Sequence, residues 1–84
     1  MKLTVEHEVG DDGEVAICFD EEGLDFLLSK LNTLRSPVGH LHLMTPSWAG
    51  NELTEDKFGG EKYVLVHSLR LVRLPESQYS GDAP

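Results

Sequence analysis

Four turn-forming residues in a row, Gly10-Asp11-Asp12-Gly13, divide the start of this chain into two alternating runs and commit its first nineteen residues to a β-hairpin. On the near side Leu3, Val5, His7 and Val9 alternate with Lys2, Thr4, Glu6 and Glu8; on the far side Val15, Ile17 and Phe19 alternate with Glu14, Ala16 and Cys18. A period of two marks strands with one apolar and one wet face, so Glu6 and Glu8 are expected in water. The period then changes. Asp20 has the side chain of an N-cap, Glu21 and Glu22 sit where a helix dipole favours acid, and Leu24, Leu27, Leu28, Leu31 and Leu34 recur at helical spacing. Phe26 falls off that stripe, and Gly23 weakens the first turn. Ser36-Pro37 ends the helix, because proline disfavours the helical region for the residue before it.

Val38 to Thr45 reads as a third strand, with Leu41 and Leu43 on one face and His40, His42 and Met44 on the other. Pro46 to Gly60 is a loop, and Tyr63 to Leu74 a fourth strand with large residues on both faces. Two-sided apolarity implies cover on both sides, a bulge that shifts the register, or a partner. Pro75 ends the strand, and Glu76 to Pro84 is expected to be a disordered C-terminal tail. The order ββαββ describes a single small α+β domain over residues 1–75. Its expected architecture is one four-stranded antiparallel sheet, in the spatial order 2-1-3-4, with the helix packed on one face. The other face stays open and shows Glu6, Glu8, Glu14, His40 and His42 together.

Charge narrows the function. Of fifteen acids, eight lie in the first 22 residues (Glu6, Glu8, Asp11, Asp12, Glu14, Asp20, Glu21, Glu22), where the only base is Lys2; the whole 84-residue chain carries a formal charge of -8. Nucleic-acid binding rests on clustered Lys and Arg, so direct contact with phosphates is not expected. An acidic surface suits a basic partner. Cys18 is the single cysteine and cannot form an internal disulfide, which fits a reducing cytoplasm. The opening Met1-Lys2-Leu3 mimics a secretion signal, but Thr4, Glu6, His7 and Glu8 interrupt it, and no run is long enough to span a membrane.

Chemistry is sparse. A domain of this length buries only about 60 to 65% of its unfolded surface, which leaves little room for a deep cleft. His40 and His42 at i and i+2 could place two imidazoles on one ion, with His67 or Glu6 as a third ligand, yet no Cys-x-x-Cys or His-Glu-x-x-His element accompanies them. Neither metal nor other cofactor is expected. Cys18 lies among acids, the wrong setting for a thiolate nucleophile, and no serine has a nucleophile-elbow pattern, so the chain does not read as an enzyme. Trp48, between Pro46 and Gly50, could anchor an interface or fold back over the core beside Phe58 or Tyr63. The second is expected. Asn51-Glu52-Leu53 reads as an Asx-type turn with Glu52 outward.

Three segments, Gly-Leu-Asp-Phe-Leu-Leu (23–28), Gly-His-Leu-His-Leu-Met (39–44) and Pro-Ser-Trp-Ala-Gly-Asn-Glu-Leu (46–53), resemble the bacterial immunity protein 32 family, small proteins encoded beside polymorphic toxins. The resemblance runs over residues 23–74 and departs at Ala49, where a glycine is expected after the tryptophan. It implies a cytoplasmic protein that neutralises a cognate toxin by direct contact, with no catalysis of its own. Candidate contacts are Glu6, Glu8, Asp11, Asp12, Glu14, His40, His42, Trp48 and Glu52, facing a basic toxin; no nucleic acid or membrane is involved, and a homodimer is possible. The alternative is a self-associating structural module, or one that binds metal through its histidines.

Overall fold

The computed structural model describes residues 1–10, 13–36 and 39–75. Five strands and one helix follow one another: β1 (Leu3–Glu8), β2 (Val15–Phe19), α1 (Glu21–Asn32), β3 (Gly39–Met44), β4 (Tyr63–Val66) and β5 (Ser68–Arg73), with one 3-10 turn at Pro46–Trp48. The class is α+β with antiparallel pairing throughout, but the strands form two sheets instead of one. β2, β1 and β4 make a three-stranded sheet in that order, and β3 pairs with β5. The expected order 2-1-3-4 is therefore corrected: the second neighbour of β1 is β4, not β3.

The cause lies in the long apolar run after Tyr63. It breaks at His67, and side-chain parity changes there: Val66 packs on the core before the break, Leu69 and Leu71 after it. A one-residue shift turns a two-sided apolar strand into two one-sided strands, each serving its own sheet. Thr45 holds the break, donating its N–H to the His67 carbonyl (3.0 Å) while its hydroxyl lies 2.7 Å from His67 Nδ1.

Leu3, Val5, Leu43 and Leu53 form the buried core, with Phe26, Leu27, Val66, Leu69 and Leu71 packed against it. The helix begins as its residues dictate, Asp20 accepting from the Gly23 N–H at 2.8 Å. Its buried face differs from the leucine stripe. Phe26 and Leu27 face inward, whereas Leu24, Leu28 and Leu31 stay 38 to 49% exposed; the helix ends at Asn32 and not at Ser36-Pro37 as expected, so the buried Leu34 lies just past it. Gly23 sets this rotation, since it is buried where any Cβ would collide with the Lys2 carbonyl oxygen and the Phe19 side chain. The first turn lies flat on the start of β1 and the end of β2 only because position 23 lacks a side chain. At the other end the Arg73 guanidinium donates to the Leu34 carbonyl (2.9 Å) and to that of Arg35, tying β5 to the helix terminus. No helix among the described residues is long and apolar enough to cross a membrane.

Candidate functional site

The alternation in β1 places Glu6 on an open face, and the structure buries it completely. The loop after Leu53 is the reason. Leu3 has no partner in β4, so Thr54 takes that place, donating its N–H to the Leu3 carbonyl (2.7 Å) and accepting the Leu3 N–H at its hydroxyl (2.9 Å). The chain then passes over the second face of β1. Phe58 N–H donates to Glu6 Oε2 (2.9 Å), Gly59 N–H to Oε1 (2.8 Å), and the Thr4 hydroxyl to Oε2 (2.6 Å). A Cβ at Gly59 would sit 2.8 Å from Glu6 Oε1 and closer still to the Tyr63 ring, so this approach requires glycine. Burial works against the Glu6 charge, but the Thr4 hydroxyl, the two amides and the Cys18 thiol outweigh it, and the carboxyl titrates below its ordinary value. Glu6 is a structural anchor, not a surface contact and not a metal ligand.

At the hairpin end Glu8 and Glu14 remain accessible, joined by the Glu8 N–H donating to the Glu14 carbonyl at 2.8 Å. Tyr63 donates its hydroxyl to Glu14 Oε1 (2.8 Å), and that bond, with burial and the charges of Glu14 and Glu8 behind it, raises the phenol above its ordinary value. Asp11 and Asp12 lie outside the described residues. Beside these acids is a feature the alternation conceals. Val15, Ile17 and Phe19 are 64, 41 and 47% exposed, although Ile17 is paired with the buried Val5 and Phe19 with the buried Leu3. Phe26 and Leu27 pack against the cluster that holds Leu3 and Val5, and the outer strand stays partly bare. A groove of about 440 Å³, lined by Lys2, Ile17, Cys18, Phe19, Asp20 and Phe58, runs against that strand.

The histidines belong to the other sheet. His40 lies opposite Val72 and His42 opposite Arg70, all exposed, so the outer face of the β3–β5 ribbon is neutral to basic. The open face expected to unite Glu8 and Glu14 with these histidines is divided between two sheets. The two imidazole rings are 5.2 Å apart and nearly perpendicular. Among the described residues no group of three or more His, Cys, Asp or Glu is placed to hold a metal ion. His67 is engaged with Thr45 and stacks on Trp48, ring centroids 6.1 Å apart and planes within 9°.

Trp48 does not fold back over the core beside Phe58 or Tyr63; it lies on His67 and remains 57% exposed. The corner that carries it is held by acids. Glu52 is half-buried and its Oε1 accepts the Met44 N–H (3.0 Å), while Glu55 accepts the Ser47 N–H (2.8 Å) and is lowered by the Ser47 hydroxyl and amide. Glu52 thus closes the edge of β3 instead of facing outward. Ala49 adopts φ 65° and ψ 21°, the left-handed region that glycine fills without strain.

Of the sequence-derived contacts, Glu8, Glu14, His40, His42 and Trp48 are accessible, and Glu6 and Glu52 serve the fold. Val15, Ile17 and Phe19 are the residues sequence reasoning missed. The signal available was their position in a strand bounded by acids on both sides, with no Lys or Arg between Lys2 and Lys30. No curated protein and no solved structure matches the chain. A family model described as immunity protein 32 matches residues 14–68, a segment that takes in β2, the helix, the Trp48 corner and β4 and stops at the first residue of β5. With well over half of its length matched, the chain belongs to the immunity protein 32 family.

Proposed function

We propose that this protein neutralises a cognate toxin by direct protein-protein contact, acting as a binder with no catalytic step of its own. Family membership carries the reading, and the distribution of charge gives it a surface. Glu8 and Glu14 stand accessible at the hairpin end, Asp11 and Asp12 lie between them in sequence, and Asp20, Glu21, Glu22 and Asp25 follow at the start of the helix. Toxins that act on nucleic acid need basic surfaces, and a fixed array of carboxylates can occupy such a surface in place of phosphate. Residues 1–75 form the binding unit in this reading, and the tail from Glu76 takes no part. His40, His42 and Trp48, on the second sheet and its corner, are at most secondary contacts.

The test is charge reversal in the complex with the product of the adjacent toxin gene. Replacing both Asp11 and Asp12 by lysine is expected to slow association about tenfold at low salt and to flatten its salt dependence, because steering by opposite charge acts on the on-rate. Unchanged kinetics exclude the hairpin from the interface. Self-association is the weaker reading, since the acids that bound β2 oppose pairing of two copies there.

A further inference from the structure

We propose that the partner binds by adding a strand to the outer edge of β2, a reading that rests on the immunity role above and names the mode of contact. The ladder geometry defines that edge. Asp20 donates its N–H to the Lys2 carbonyl (3.2 Å) and Glu8 its N–H to the Glu14 carbonyl (2.8 Å). In an antiparallel pair hydrogen-bonded and non-bonded positions alternate, so Thr4–Cys18 and Glu6–Ala16 are the bonded pairs between these two. The N–H and C=O groups of Val15, Ile17 and Phe19 therefore point away from β1. β2 ends its sheet, so no strand among the described residues meets them. The same three residues carry the exposed apolar side chains, which makes this an edge open in both backbone and side chain.

The other free edges are closed in part or mostly polar: the outward positions of β5 are Ser68, Arg70 and Val72. Met44 on β3 is closed by Glu52 and Leu53, the remainder of β3 shows histidines, and the Tyr63 carbonyl on β4 accepts the Lys57 ammonium at 2.6 Å. An unguarded apolar edge is a template for another strand. Charge states which strand. Paired antiparallel about Ile17, two copies of this chain would set Glu14 of each against Asp20 of the other; paired parallel in register, they would set each acid beside itself. No base between Lys2 and Lys30 relieves either arrangement. Both ends of β2 thus repel a second copy and favour an apolar partner strand flanked by Lys or Arg. Main-chain bonds to β2 supply affinity, and the groove beside Cys18 and Phe58 receives alternate side chains of the added strand.

Hydrogen exchange on the unmodified protein tests this, with the purified product of the adjacent toxin gene as the probe. In the free chain the amides of Val15, Ile17 and Phe19 should exchange rapidly and those of Ala16 and Cys18 slowly; in the complex the first three should slow at least about tenfold. Ile17→Pro removes an outward N–H without touching the ladder to β1, and should weaken binding at least about tenfold, while Ile17→Thr, which keeps the N–H, should weaken it less. A stable complex in which the three amides exchange as before overturns the proposal. Protection of these amides in the free chain that rises with its concentration overturns it in favour of a second copy. If the unmodified chain does not bind the toxin, the immunity reading itself fails and strand addition falls with it.

Discussion

Ala49 is the one described residue other than glycine with a positive φ, and it stands directly after the exposed Trp48. The left-handed conformation costs an alanine about 1 to 2 kcal/mol, whereas glycine adopts it freely and loses about 0.5 to 1 kcal/mol in added unfolded-state entropy. Ala49→Gly should therefore raise the unfolding free energy by about 0.5 to 1 kcal/mol, read by urea denaturation. A loss of stability would mean the corner is not strained. Glu6 makes the opposite case, a charge buried because three donors, the Thr4 hydroxyl and the Phe58 and Gly59 amides, converge on it. Its pKa is lower folded than unfolded, so the stability it contributes is complete above its ordinary value of 4.5 and is lost as pH falls through the folded value. Asp20, held chiefly by the Gly23 amide, and Asp56, held chiefly by Lys2, are lowered too and act in the same sense. Glu6→Gln should cost about 2 kcal/mol near neutral pH and flatten the fall in stability on acidification. An unaltered acid limb would remove Glu6 from the account.

Among the elements, the helix shows what a sequence can and cannot specify. Its start is legible from Asp20, because capping is local, but the leucine stripe to Leu34 and the stop at Ser36-Pro37 overstate its length, since the helix ends at Asn32. Its rotation was not legible, because Gly23 meets the Lys2 carbonyl, a contact across sequence that no periodicity encodes. Gly23→Ala measures this directly. On an exposed helix the change stabilises by about 1 kcal/mol, but here the added methyl meets backbone and should destabilise by about 2 kcal/mol, so the sign of the change in thermal unfolding decides. The fourth strand failed as a single element for a related reason. Its two-sided apolarity was readable and so was a register shift as one of its meanings, but the place of the shift depends on Thr45 bonding to His67. The acidic hairpin was legible as a candidate surface, while the exposure of Val15, Ile17 and Phe19 was not, because it depends on tertiary packing that no alternation encodes.

For the whole molecule, the division into two sheets separates two kinds of surface. Acids gather around the hairpin and the helix start, and His40, His42 and Arg70 share the ribbon formed by β3 and β5. In the proposed complex a partner with a basic face would be steered to one end of the molecule, and the apolar strand at that end would supply what charge alone does not, a register. The proposal predicts association that depends on salt and a complex whose lifetime depends on β2. The central claim is neutralisation by direct contact, and one measurement reaches it: the catalytic activity of the purified product of the adjacent toxin gene, titrated with this protein, with the mixture also run by size exclusion. The account predicts that activity falls to baseline at equimolar protein as the two co-elute in one complex. Full toxin activity at molar excess, with the two proteins eluting apart, would contradict it.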